Sequence, residues 1–347
     1  MSLALNVKHD ALDDILADAR RDSVEFPYLL ANHAPMVLAA MAQLGSSDER
    51  IAEWLAMYRR VKRLVPVPPR VAPIEAARWT AALGDRSREA DYRDFFVAEV
   101  RRLGIQDAIA AYLPTLIPGI GASALHGLMR LAYGVLRMDG AEVGTALGYW
   151  ATTYLKMPEA TGAAPVTDDP AVVLARSGAI EAMHHLEPET DLLWHTIRAA
   201  GAERDFAPVV DMLAIGPDCL QRLAATSLTV FAATMDFSAL HAVTGTHWVR
   251  LVSPFLPEAE RPRLIRYFWQ IIASLVPKIG FPTLPDAATV EGWRNLDAPE
   301  WPEISAAAVA SDDEHDISLT FSAREEQKIY GDRLYRVVAA KRVGLIA

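Results

Sequence analysis

Apolar residues recur three and four positions apart along almost the whole chain, and that spacing constrains the fold more than any other feature. Leu12, Ile15, Leu16 and Ala19 share one side of a 3.6-residue period. So do Ile51, Trp54, Leu55 and Tyr58, and again Leu264, Tyr267, Phe268 and Ile271. No β-branched run bounded by hairpin turns competes with this pattern. Helix punctuation agrees, with Ser47 or Asp48 before an acidic first turn, Thr190 before DLLWHTIRAAG and Gly201 closing that segment. The expected fold is all-α, a single large multi-helix domain over residues 1–347. Breaks are expected at Pro66–Pro73, Pro158–Pro170, Phe281–Pro285 and Pro299–Pro302, and residues 158–170 are expected to form a loop excursion. No fixed-period repeat is visible.

The same residues bound the partners. The chain carries 34 Lys and Arg against 44 Asp and Glu, a formal charge of −10, so no basic stripe offers itself to phosphate and no nucleic-acid partner is expected. The longest uncharged run, Ala108 to Met129, has the length of a membrane span but holds Pro114, Pro118, Gly119 and Gly121 midway. It reads as two buried segments joined by a turn, and no membrane association is expected. The first residues hold Asp10, Asp13, Asp14 and Asp18 in place of an apolar signal run, and Cys219 is the only cysteine. A cytoplasmic location is the expectation. Oligomeric state is not legible.

The nine histidines carry the chemical promise. His9 lies among charges, His184, His185 and His195 share no obvious facing, and all four are read as surface or structural. His33, His126, His241 and His247 lie in apolar or small-residue surroundings, where a protonated imidazole is costly and a partner is needed. Together they suggest a buried histidine-rich site. His241 and His247 are six apart, about 120° apart on a regular helix, and Thr244-Gly245-Thr246 between them is expected to break the helix so that the rings can converge. Asp236 reads as the cap of the helix leading into His241, with an outer-shell acceptor role as the alternative. Asn32 reads as the cap of a helix with Pro35 in its first turn. His126, Arg130 and Tyr133 share one helix face. Either they line a polar cavity, with Arg130 and Tyr133 acting on substrate, or Arg130 pairs with a buried acid and Tyr133 packs. No HExxH, cysteine pair or EF-hand loop is present, and no Gly-rich dinucleotide fingerprint follows a strand.

Four segments, ANHAPMVLAAMAQLG, ALHGLMRLAYGV, DFSALHAVTGTHWVRL and DDEHDISLTFSAREEQKIYGDRLY, resemble the questin oxidase-like family in that order. The resemblance implies a helical non-haem iron oxygenase, with Fe(II) as cofactor, O2 as co-substrate and an aromatic, polyketide-like small molecule as substrate. Oxidation by Baeyer–Villiger-type insertion or ring cleavage, with NADPH as a reductant in some members, belongs to the same expectation. The resemblance makes His33, His126, His241 and His247 the iron ligands. Ser318 stands where the family has a lysine that adds an anionic ligand, which leaves Glu314 among the groups able to balance the charge and His315 as an outer residue or alternative ligand. Two other readings use the same residues. One is an HD-type metal-dependent phosphohydrolase built on His315-Asp316. The other is a non-catalytic helical protein whose histidines hold haem or whose cavity holds a ligand.

Overall fold

The computed structural model describes residues 10–347, so His9 lies outside the described residues. Its first half contains α1 (Asp10–Ala19), a two-stranded antiparallel hairpin of β1 (Glu25–Phe26) and β2 (Leu30–Ala31), then α2 (Ala34–Gln43), α3 (Asp48–Lys62), α4 (Glu89–Leu103), α5 (Ile105–Leu116), α6 (His126–Arg137) and α7 (Gly140–Thr152). The second half contains α8 (Pro170–Gly178), α9 (Leu193–Ala202), α10 (Cys219–Thr234), α11 (Phe237–Val252), α12 (Arg261–Ser274), the short α13 (Val276–Ile279), α14 (Ala287–Arg294), α15 (Trp301–Ala310), α16 (Glu314–Tyr330) and α17 (Leu334–Arg342). Short 3-10 turns fill several connections. The fold is all-α apart from the small hairpin, as the apolar spacing implies.

One continuous apolar core runs from Leu12 on α1 to Ala340 on α17. α4 packs along α7, α10 along α11, and α11 against α6 and α16. The α4–α7 approach is close because α7 presents glycine to it. A Cβ on Gly144 would stand 2.6 Å from the Val97 Cα, which no side chain tolerates. The uncharged run from Ala108 to Met129 divides as expected into α5, a 3-10 turn at Ile117–Gly119 and the start of α6. Among the described residues no helix is long and apolar enough to cross a membrane. Residues 158–169 carry no helix and are mostly exposed, up to the α8 cap at Asp169.

Two local expectations change. The sequence reading allowed no hairpin, yet β1 and β2 form one, turning through Tyr28 and Leu29 at φ +71° and +59°. The usual glycine or asparagine signal for such a turn is absent. The expected break at Thr244-Gly245-Thr246 is also absent, because α11 runs unbroken from Phe237 to Val252 behind an Asp236 cap that accepts from the Ser238 and Ala239 amides. Gly245 serves packing there. A Cβ at this position would lie 2.4 Å from Phe268 Cε2 on α12. Gly245→Ala is therefore expected to destabilise the fold by about 1–2 kcal/mol, overpacking outweighing the better helix propensity of alanine. The urea midpoint measures it, and an unchanged midpoint would mean that Phe268 swings aside freely.

Candidate metal centre

Four histidines from four separate elements line one cavity. His33 is the N-cap residue of α2, directly after β2, with the Asn32 side chain accepting from the Ala34 amide and Pro35 in the first turn. His126 opens α6 after three consecutive non-glycine residues with left-handed backbone, Ser123, Ala124 and Leu125, at φ +45°, +54° and +71°. Each such residue costs on the order of 1 kcal/mol, and a run of them persists only where surrounding structure holds it. The Ser123 hydroxyl donates to Glu25 (2.8 Å) and accepts from Tyr149 (2.8 Å), while Arg86 pairs with Glu25 (2.7 Å). His241 lies in the second turn of α11. His315 lies in the first turn of α16, whose Asp313 cap accepts from the His315 amide.

The rings form a closed circuit. Centroid separations are 4.5 Å from His33 to His126, 5.8 Å from His126 to His241, 6.3 Å from His241 to His315 and 5.0 Å from His315 back to His33. Each ring is oriented through Nδ1. His33 Nδ1 donates to the Ala31 carbonyl (2.9 Å), His126 Nδ1 to the Ser123 carbonyl, His241 Nδ1 to the Phe237 carbonyl (3.0 Å) and His315 Nδ1 to the Asp313 carboxylate (3.0 Å). All four acceptors are oxygens without a proton, so in the neutral rings Nδ1 carries the hydrogen and Nε2 presents a lone pair. The Nε2 atoms of His33 and His126 stand 2.8 Å apart. Two lone pairs at that distance repel, and a cation bonded to both at about 2.0–2.1 Å removes the conflict.

Burial keeps three of these rings, His33, His126 and His241, neutral. Burial lowers His33 and His126 well below the usual 6.5, helped by the charge of His315 on His33 and of His33 on His126, and it lowers His241 to about 3. An unprotonated imidazole is the metal-binding form. Glu314 is a buried carboxylate of the cavity wall, paired with Lys62 at 2.8 Å, and its oxygens lie within 4.8 Å of the ligand atoms of His315 and Asp313. Asp313 itself is spoken for as helix cap, acceptor for His315 and partner of Arg342 (2.7 Å). The cavity measures about 800 Å³ and opens between apolar and aromatic walls that include Phe26, Tyr28, Leu192, Trp194 and Phe237.

The profile of the questin oxidase-like family matches residues 30–320. The chain belongs to the questin oxidase-like family. Membership implies an oxidoreductase of the oxidase type. No curated protein matches the chain.

Within this questin oxidase-like protein, three of the four histidines carried over by resemblance come together, and the fourth does not. His247 lies on the far side of the unbroken α11, where its Nδ1 meets the Ser322 hydroxyl (3.0 Å) and its ring meets Phe321 (5.5 Å between centroids). It does not line the cavity. His315 takes the fourth place in the circuit.

The two side chains expected to act on substrate are also elsewhere. Arg130 is fully buried and holds Glu142 through Nε at 2.6 Å, so the buried-acid alternative is the one realised. Tyr133 is buried with its hydroxyl turned toward Ser318 and Ser322, without a hydrogen bond of good geometry. Neither residue lines the cavity. His126, Arg130 and Tyr133 lie on one side of α6, and that side turns into the core one turn beyond His126. Ser318 belongs to that same buried polar group and stands away from the cavity. Asp236 is the cap of α11, as expected, and its residue also borders the cavity. Asp316 is drawn away from His315 by Arg342 (2.7 Å) and Ser311 (2.7 Å), which separates the HD pair. Among the remaining histidines, His184 stacks on Phe281, His185 pairs with Glu181, and His195 meets Thr190. Lys62, Phe237, Trp194 and Lys278 are cavity residues that sequence reasoning missed, because only the packing of α3, α9, α11 and α13 brings them to one space.

Proposed function

We propose that the protein is a non-haem iron-dependent oxygenase that uses O2 to oxidise an aromatic small molecule in the cavity beside the histidine circuit. The observation that supports this reading is the set of four Nδ1 atoms tied to oxygen acceptors, which leaves four Nε2 lone pairs available to a cation, two of them 2.8 Å apart. His33, His126, His241 and His315 would hold Fe(II), an imidazole-compatible cation. Glu314 would offset part of its charge.

When bound, iron would supply the one-electron chemistry that O2 needs with a closed-shell organic substrate. The chain's own residues do the rest. The carbonyls of Ala31, Ser123 and Phe237 and the Asp313 carboxylate fix each ring in one tautomer and one orientation. The apolar walls exclude water and hold an aromatic ring face. Lys62 keeps Glu314 paired.

Ring cleavage that places both oxygen atoms in the product draws its electrons from the substrate. Baeyer–Villiger-type insertion needs two more, from a donor such as NADPH, so NADPH consumption coupled to O2 uptake distinguishes the two. The test of the reading itself is anaerobic reconstitution of the folded, metal-free protein with Fe(II), followed by elemental analysis. About one iron per chain is expected, and a folded protein that retains none would overturn the proposal.

A further inference from the structure

Five charged residues border the cavity besides the histidines: Lys62, Asp191, Asp236, Lys278 and Glu314. Two acids and one base are committed. Asp236 caps α11, and Glu314 and Lys62 hold one another with the carboxylate buried. Breaking that pair would leave a buried, unpaired carboxylate, a strongly unfavourable state. Lys278, on α13, differs. Its ammonium lies 3.2 Å from Asp191, an acid that is fully exposed, while Lys278 itself is largely covered. A pair with one fully solvated partner contributes little and yields readily to a competing anion. Among the described residues, Lys278 is therefore the one cation of the cavity wall that is available to a ligand.

The opposite requirement, a surface for rings, is met at the mouth. Tyr28 is 87% exposed and Leu29, Leu30 and Phe237 are also exposed, although each borders the cavity. Tyr28 and Leu29 occupy left-handed backbone that Gly or Asn would take without strain. Bulky apolar side chains held in such positions and left in solvent point to a contact that the free protein does not make.

We propose that the cavity takes an aromatic molecule bearing an anionic oxygen group, a carboxylate, phenolate or sulfonate, with Lys278 reading the anion and the Tyr28–Leu30 tip and Phe237 covering the rings. This rests on the cavity being the substrate site of the proposed oxygenase. It adds the charge of the substrate and the residue that selects for it. Asp191 acts as the stand-in anion that the ligand displaces.

A matched pair of fluorescent probes tests this by binding alone. 8-Anilino-1-naphthalenesulfonate carries the anion, and N-phenyl-1-naphthylamine is the same skeleton without it. Lys278→Met is expected to weaken the sulfonate roughly tenfold, the worth of one hydrogen bond to a charged group, while leaving the neutral probe within about twofold. Lys278→Arg retains sulfonate binding. Asp191→Asn removes the competing acid and tightens the sulfonate only, a change opposite in sign to that of Lys278→Met and not produced by a merely structural role. Tyr28→Ser weakens both probes. Lys278→Met leaving the sulfonate unchanged, or weakening both probes alike, would overturn the proposal. So would indifference of both probes to Tyr28→Ser. Iron content of the same samples after reconstitution reports separately on the metal centre, so loss of one reading is distinguishable from loss of the other.

Discussion

Alanine at His126 is expected to strip the protein of iron, lowering its affinity by more than the roughly 10- to 100-fold that follows removal of an outer-shell partner. The same result is expected for His33→Ala, His241→Ala and His315→Ala. Each removes one of the four rings whose Nε2 is left free by a bonded Nδ1. His247→Ala is the contrasting case. That ring is engaged with Ser322 and Phe321, so the variant keeps its iron while losing core packing. Anaerobic reconstitution with Fe(II), gel filtration and elemental analysis give iron per chain, and circular dichroism confirms that each variant is folded. Iron retained by folded His126→Ala, or lost from His247→Ala alone, would remove the basis for the circuit of four. His315 is the sharpest single discriminator, because sequence resemblance implies His247 as the fourth ligand, whereas packing brings the His315 ring beside His33.

The second large effect is acid sensitivity of the metal-free protein. His33, His126, His241 and His247 all have folded-state pKa values lowered by burial, the last two to about 3, against the usual 6.5. For a base whose folded pKa is depressed, the unfolded chain binds the extra proton first. Stability is then full above about pH 6.5 and falls as pH drops from there toward 3. Each ring forfeits about 1.4 kcal/mol per pH unit, so the four together remove about 5 kcal/mol between pH 7.5 and 5.5, a large share of a typical domain's stability. Glu25 and Glu326 act in the opposite direction, since burial raises their pKa above the usual 4.5 and the folded state takes up their protons first as pH falls. Urea midpoints of chelator-treated protein across pH 7.5 to 5.5 measure the effect. A flat profile would show that these rings accept protons in the folded state. Saturating Fe(II) is expected to raise the midpoint at pH 7.5, because a cation held only by the native state stabilises it by mass action.

Helix content and the apolar surroundings of His33, His126 and His241 were legible because both depend on short-range spacing. The rest depended on packing. Gly245 reads as a helix breaker until Phe268 is placed against it, and only an unbroken α11 sends His247 away from His241. His315 sits in an acidic tract that looks solvated in one dimension. Its first-turn position is exposed to the cavity only because α16 packs against α2 and α11. Arg130 meets Glu142 across the turn between α6 and α7, outside the three- and four-residue spacings by which a helical ion pair is recognised. The hairpin was invisible because its left-handed residues are Tyr28 and Leu29, which carry no turn signal.

The histidine circuit also has a consequence for how the protein is made. His33 follows the first hairpin, whereas His315 opens one of the last two helices, yet their rings are neighbours at 5.0 Å. A ribosome releases the chain from its N-terminus, so His33, His126 and His241 emerge well before the fourth ring exists. Iron captured at that stage would meet a half-built site. Under the proposed iron reading, complete binding would wait until α16 docks, and metal loading would be a late, post-translational event that reports whether the C-terminal helices have found their place.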